Sequence, residues 1–211
     1  MINAMPPVRR RGRPPKSEGD YRETKDVLCR AGLAALTQKG FSATGIEEIL
    51  KTAGVPKGSF YNFFSSKEAF GTELVRQYAD YFARKLDRYF LDDSLSPLAR
   101  LQAFCADAEA SMARYGFRRG CLIGNLGQEM EALPEAFRAQ LVDVLLDWEA
   151  RTAACIEAAK VAGEISPRID ATQWAAFFWI GWEGAVLRAK LERRGEPLQA
   201  YAKFFVMSLK A

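Results

Sequence analysis

TGIEEILKTAGVPKGSFYNFFSSKE, residues 44–68, decides how this chain is read. Thr44 and Glu47 have the spacing of a capping box, the threonine serving a free amide and the glutamate reaching back. Ile46, Ile49, Leu50 and Ala53 then recur at helical intervals and give a short helix one apolar face. Gly54 supplies the left-handed residue that ends it, and Val55-Pro56 starts a second short helix almost at once. That helix, expected over 57–64, carries Lys57, Gly58, Ser59, Tyr61 and Asn62, which suit a surface contact better than a core. Ser65-Ser66-Lys67-Glu68 is a further cap and opens a longer helix. Two short helices joined by a glycine turn, the second small and polar at its start, form the helix-turn-helix pattern; an ordinary helical hairpin is the plainer alternative.

The bulk of the chain fits a helical, DNA-associated protein. With 211 residues and 49% hydrophobic content, it can bury a sizeable core. It lacks an uninterrupted apolar run of about 18 residues, the length a membrane span needs. The opening MINAMPPVRRRGRPPK has no apolar stretch after its cations, so no secretory signal is expected and the cytoplasm is the expected location. Cys29, Cys105, Cys121 and Cys155 are scattered without metal-ligand spacing, so no metal, cofactor or disulfide framework is expected. The sequence contains no histidine, which removes the commonest general base and makes an enzyme the weaker class. Residues 1–16 carry Arg9, Arg10, Arg11, Arg13 and Lys16 and no acid, so they hold more than the whole formal surplus of +4. Such a basic arm suits phosphate.

The segment AGVPKGSFYNFFSSKEAF resembles the DNA-reading part of the TetR family of transcriptional regulators. The resemblance is carried by Ala53-Gly54-Val55, Gly58-Ser59, Phe60-Tyr61 and Lys67-Glu68, and its close part runs from about Tyr21 to Phe70. It implies an all-α fold of about nine helices, with a basic arm at 1–19, a DNA-binding head at 20–66 and a ligand-binding and dimerisation bundle at 67–211. It also implies a homodimer on palindromic double-stranded DNA, its recognition helices in successive major grooves. Thr44, Lys57, Gly58, Ser59, Tyr61 and Asn62 would then face DNA, and Lys67 a phosphate. Glu47 departs from the family, where a polar or basic contact is common. In the arm, Arg11-Gly12-Arg13-Pro14 resembles the core of a minor-groove hook, with Arg11 and Arg13 as the contacts; a solvated basic tail is the alternative.

Further along, Asp20 and Glu23 are read as the cap of the first helix, whose core stripe is Val27, Leu28, Ala31, Leu33, Ala34 and Leu36. A fourth helix is expected from Ser65 or Ser66 to about Phe90, and a fifth from Ser96-Pro97 to about Tyr115. Then come glycines at 116, 120, 124 and 127, each costing about 1 kcal/mol in a helix interior, as though a close backbone approach were needed. Gly120-Cys121-Leu122, followed by Glu129, resembles a branch of the same family that responds to reactive electrophiles. That resemblance implies a small-molecule inducer, acrylate or a related electrophile, with Cys121 as sensor. Arg118 and Arg119 are expected to lower the Cys121 pKa, or instead to clamp a carboxylate; the plain reading of Cys121 is a small buried hydrophobe.

Tyr115, Trp148, Trp179 and Trp182 are ligand candidates, with core packing as the alternative for the tryptophans. The helix opened by Asp170 and Gln173 is apolar on nearly all sides, so one face must meet something beyond its own core. The family answer is a four-helix dimer interface holding Trp174, Phe178, Val186 and Phe204. Glu183, a lone charge in that run, is assigned to a pair across the dimer, with a ligand or the protein edge as the other options. Two other classes remain at this point: an architectural DNA binder without an inducer, and a small all-α enzyme acting on electrophiles.

Overall fold

The computed structural model describes residues 18–210, and every described element is helical: α1 (Glu18–Lys39), α2 (Ile46–Ala53), α3 (Lys57–Tyr61), α4 (Lys67–Phe90), α5 (Pro97–Ala113), α6 (Leu122–Gly127), α7 (Glu135–Val161), α8 (Ala171–Glu192) and α9 (Glu196–Lys210), with one 3-10 turn at Met130–Ala132. Arg11 and Arg13 lie outside the described residues. Helix α1 is already under way at Glu18, so Asp20 lies inside its first turns rather than at its cap.

Several sequence signals act as read. Gly54 adopts the left-handed conformation, φ 66°, and its N–H reaches the Leu50 and Lys51 carbonyls, ending α2. Ser66 Oγ accepts from Ala69 N–H at 3.0 Å and caps α4. Asp170 caps α8 by accepting from Thr172 and Gln173 N–H. Thr44 does not act as read: the N-cap of α2 is Gly45, with no side-chain cap. The Thr44 hydroxyl donates backwards to the Gly40 carbonyl at 2.7 Å inside the core. A hydroxyl satisfied locally has no need of the helix amides. Helix α3 also closes early, at Asn62, because the Phe63 and Phe64 N–H groups both turn back to the Phe60 carbonyl.

The head, α1–α3, is held by an aromatic cluster in which the rings of Phe60, Phe64 and Phe70 lie 4.8–5.4 Å apart. Phe70 belongs to α4, so the head packs on the first turn of the helix that continues into the body. Inside the body, the rings of Trp148 and Trp179 meet at a tilt with centroids 4.8 Å apart, enclosed among Phe82, Phe104 and Phe178. The Trp179 indole N–H donates to Thr152 Oγ1 at 2.9 Å. Each such ring contributes roughly 1.5–3 kcal/mol through burial.

Helix α8 sorts its apolar residues differently from the sequence reading. Phe178 is fully buried in the subunit's own core, Val186 is buried against the cavity described below, and Glu183 borders that cavity. The outward stripe is Phe177, Ile180, Leu187 and Leu191, joined by Phe204 and Met207 of α9. Trp174, half-buried, packs on Phe177 and Phe205. No helix among the described residues is long and apolar enough to cross a membrane.

Candidate functional site

The head presents Lys57, Gly58, Tyr61 and Asn62 to solvent on one side of α3, with Ser59 half-exposed beside them and Phe60 anchoring the opposite side in the core. The Lys57 ammonium lies 3.2 Å from Glu47 Oε1. Both groups are well exposed, so the pair is worth no more than about 1 kcal/mol, yet it holds a carboxylate on the side of α3 expected to meet phosphate. Glu47→Gln is therefore expected to tighten DNA binding about two- to fivefold, by removing that repulsion and freeing Lys57. Titration of the two proteins on one duplex at fixed salt checks this; weaker binding by the variant would mean that the carboxylate itself contacts the DNA.

Two expected DNA contacts sit elsewhere. Thr44 is enclosed and cannot offer its side chain to a duplex in this conformation. The Lys67 ammonium donates to the Phe41 carbonyl at 2.7 Å and rests 4.4 Å above the Phe41 ring. Burial there holds its pKa below the usual lysine range, with Glu129 acting in the opposite sense. In this conformation it pins the loop before α2 rather than facing a phosphate.

Between head and body lies a cavity of about 480 Å³. Its exposed rim is Arg30, Tyr81 and Tyr115, with the Arg119 guanidinium 4.0 Å above the Tyr115 ring. Its buried end brings together Cys121, Trp182, Glu183 and Tyr78. Lys85, enclosed in the wall, is neutralised by Asp107 at 2.6 Å. Arg118 points to solvent away from the cavity, and Trp148 and Trp179 lie behind its wall. Of the sequence-derived ligand candidates, Cys121, Arg119, Tyr115 and Trp182 are thus brought together.

The electrostatics of that buried end reverse the expectation for the thiol. Burial pushes the Cys121 pKa well up, the facing Glu183 carboxylate pushes the same way, and neither arginine offsets them. Burial also raises Glu183, to about 7, while a hydrogen bond from the Cys121 thiol works to lower it. Glu183 is half-buried and lines the cavity.

Cys121 is also the residue from which α6 starts, and α6 reaches the head. The Asn125 side-chain amide donates to the Leu36 and Thr37 carbonyls at 3.0 and 2.8 Å, at the end of α1. Gly120 N–H donates to Thr37 O as well, and Lys190 bonds to Asn125 Oδ1 at 3.3 Å. Just past α6, Glu129 accepts from the Phe41 and Ser42 N–H groups at 2.9 and 2.7 Å, in the loop that leads into α2. Two close approaches make the clamp possible. Gly40 (φ 86°) leaves room for the Glu129 carboxylate, and Gly124 leaves room for the Glu183 carboxylate. Sequence reasoning flagged Glu129 and the odd glycines but missed Asn125, Tyr78, Lys85 and Arg30, whose partners are remote along the chain.

Comparison with known proteins settles the family. Residues 28–74 match the model described as bacterial regulatory proteins, tetR family, and residues 97–205 match the tetracyclin repressor-like C-terminal domain. The chain belongs to the TetR family of transcriptional regulators. Among TetR-family relatives, it is 54% identical over 202 residues to the transcriptional regulator AcuR of Cereibacter sphaeroides, covering 96% of this chain and 92% of that protein. A solved regulatory protein TetR from Rhodobacter sphaeroides superposes with a TM-score of 0.86 at 55% identity, covering 87% of this chain and 97% of the other. The reduced form of Escherichia coli NemR superposes at 0.81 with 28% identity, covering 90% and 97%.

Proposed function

We propose that this TetR-type regulator is a repressor that binds a palindromic operator as a homodimer and is released when a small unsaturated electrophile, acrylate or a close relative, enters the cavity. One observation carries the reading: α6 begins at Cys121 in the cavity wall, and it and the turn after it hold the head through Asn125 and Glu129. Occupation of the cavity bears on Cys121 and therefore on the segment that fixes the end of α1 and the loop before α2. A ligand that fits the cavity better when this clamp has shifted favours an arrangement of heads that no longer matches the operator.

The stripe of Phe177, Ile180, Leu187, Leu191, Phe204 and Met207 supports a two-fold dimer through α8 and α9, since a contiguous exposed apolar face of this kind is costly in a monomer. Two heads would then present Lys57, Ser59, Tyr61 and Asn62 to major grooves roughly 34–36 Å apart, or a multiple of that spacing. The basic arm would add phosphate or minor-groove contacts. Acrylate rests on resemblance to the electrophile-responsive branch, and a thiol and an acid at the buried end of the cavity give that chemistry a place.

Gel-shift titration on the DNA upstream of the protein's own gene, with and without sodium acrylate, tests the reading. Specific binding released by acrylate is expected, and Cys121→Ser should keep operator binding while needing at least about tenfold more inducer. Specific binding that acrylate leaves alone would discard this inducer class. An unchanged response in Cys121→Ser would remove the thiol from the mechanism.

A further inference from the structure

Among the described residues that line the cavity, Glu183 is the only acid and Cys121 the only thiol. No salt bridge to Glu183 occurs among the described residues; its carboxylate reaches the backbone at Gly124, beside Cys121, and both side chains line the cavity. A buried carboxylate without a cation is a costly arrangement, and α6 has a glycine at position 124 where any side chain would displace it. The thiol, meanwhile, has lost the arginine assistance that its sequence neighbours promised and is buried beside a negative charge. Cys121 therefore cannot rely on a standing thiolate population at neutral pH.

We infer that Cys121 and Glu183 form a reactive pair, in which Glu183 takes the thiol proton as Cys121 adds to an α,β-unsaturated carbonyl compound held in the cavity. This rests on the covalent form of the reading proposed above. The Sγ electron pair forms a bond to the β-carbon, the C=C π pair moves toward the carbonyl as an enolate, and the proton passes to a Glu183 oxygen. Glu183 then returns that proton to the α-carbon. An S–H bond and a C=C π bond are lost, an S–C and a C–H bond are gained, and no co-reactant is required. A base whose pKa lies close to neutral pH suits this shuttle. The product is a thioether one substituent larger than the thiol, at the residue from which α6 starts.

The other charged and titratable groups around the pair are Tyr78, Tyr81 and Lys85 of α4, Arg30 of α1, Asp107 of α5 bound to Lys85, and Tyr115 and Arg119 between α5 and α6. Tyr78 is half-buried and its pKa is pushed well up, first by desolvation and then by Cys121 and Glu183, so it stays protonated through the neutral range. Lys85 is paired with its own acid, Asp107. Glu183, raised to about 7, is placed to change charge near neutrality.

The test uses the full chain with acrylamide and with sodium acrylate as probes, following adduct formation by intact mass and locating it by peptide mapping. In the unsubstituted protein, one adduct is expected at Cys121, forming at a rate that climbs as pH rises through about 7 and Glu183 loses its proton. Glu183→Gln keeps the shape but cannot accept the proton. It should slow the reaction about a hundredfold near neutrality and move its rise into the alkaline range, where the thiol ionises unaided. Glu183→Asp should restore part of the neutral rate. A Glu183→Gln protein that reacts as fast as the parent, or a parent rate with no rise near pH 7, would overturn the pair while leaving covalent sensing intact. No Cys121 adduct in the parent under conditions that release the operator would overturn both.

Discussion

Gly40→Ala is expected to lower the melting temperature by about 10 °C and to weaken operator binding in the same protein. Position 40 has φ 86°, in the left-handed region where a side chain costs about 1–2 kcal/mol. A Cβ there would also occupy the place of Glu129 Oε1, so the carboxylate must leave. With it go the charged hydrogen bonds from Phe41 and Ser42 N–H, each worth roughly 1.5–3 kcal/mol. The combined loss starts at about 4 kcal/mol, which corresponds to about 10 °C for a chain of this size. Because the released amides belong to the loop that enters α2, the DNA-reading unit loses its tether at the same time. Thermal unfolding and an operator titration measure the two effects. A melting temperature within about 2 °C of the parent, with unchanged affinity, would show that the clamp contributes nothing.

Lys57→Ala is expected to weaken operator binding about 10- to 100-fold, or roughly 1–3 kcal/mol, and to relax discrimination at the base pair beneath it. Lys57 opens α3 on the exposed side of the head, and its salt-bridge partner is a well-exposed carboxylate that gives it up cheaply. An amine so placed can reach guanine edges in the major groove. The check is a titration on the operator and on single-base variants. A loss below about twofold, equal on every sequence, would confine Lys57 to the surface. Opposite responses to Lys57→Ala and Glu47→Gln would locate the pair on the DNA side.

The head was legible because its signals are local. Gly54 and Ser66 each act on amides or carbonyls within a few residues of themselves, as Asp170 does in the body, and these caps form where the sequence places them. Thr44 shows the limit of such reasoning. The Thr-x-x-Glu pattern is present, but the hydroxyl has a nearer acceptor in the Gly40 carbonyl, and spacing alone cannot choose between them. Helix α8 shows another limit. With apolar residues on every side it has no period to read, so Phe178, Val186 and Glu183 were assigned to the outer face and instead point inward.

The cavity was the least legible part because it is assembled from distant pieces. Tyr78, Cys121 and Glu183 come from three separate helical regions, and Asn125 finds its acceptors 88 and 89 residues away. Arg118 and Arg119 adjoin Cys121 in sequence, yet one faces solvent and the other stacks on Tyr115. Proximity along the chain therefore mispredicted the charge environment of the thiol. Of the odd glycines, the one at 124 was the usable clue, since it stands where a carboxylate comes close to backbone.

The most direct test of coupling between cavity and head is the inducer response of Asn125→Ala. This change removes the side-chain amide that ties α6 to the Leu36 and Thr37 carbonyls and leaves Cys121, Glu183 and the α3 surface untouched. Acrylate would be titrated against the operator complex of parent and variant at matched protein, DNA and salt concentrations. The account predicts that the variant still binds the operator specifically but that acrylate releases it incompletely, or only at about tenfold higher concentration. Full release of Asn125→Ala at the parent's acrylate concentration would contradict transmission through the α6 clamp.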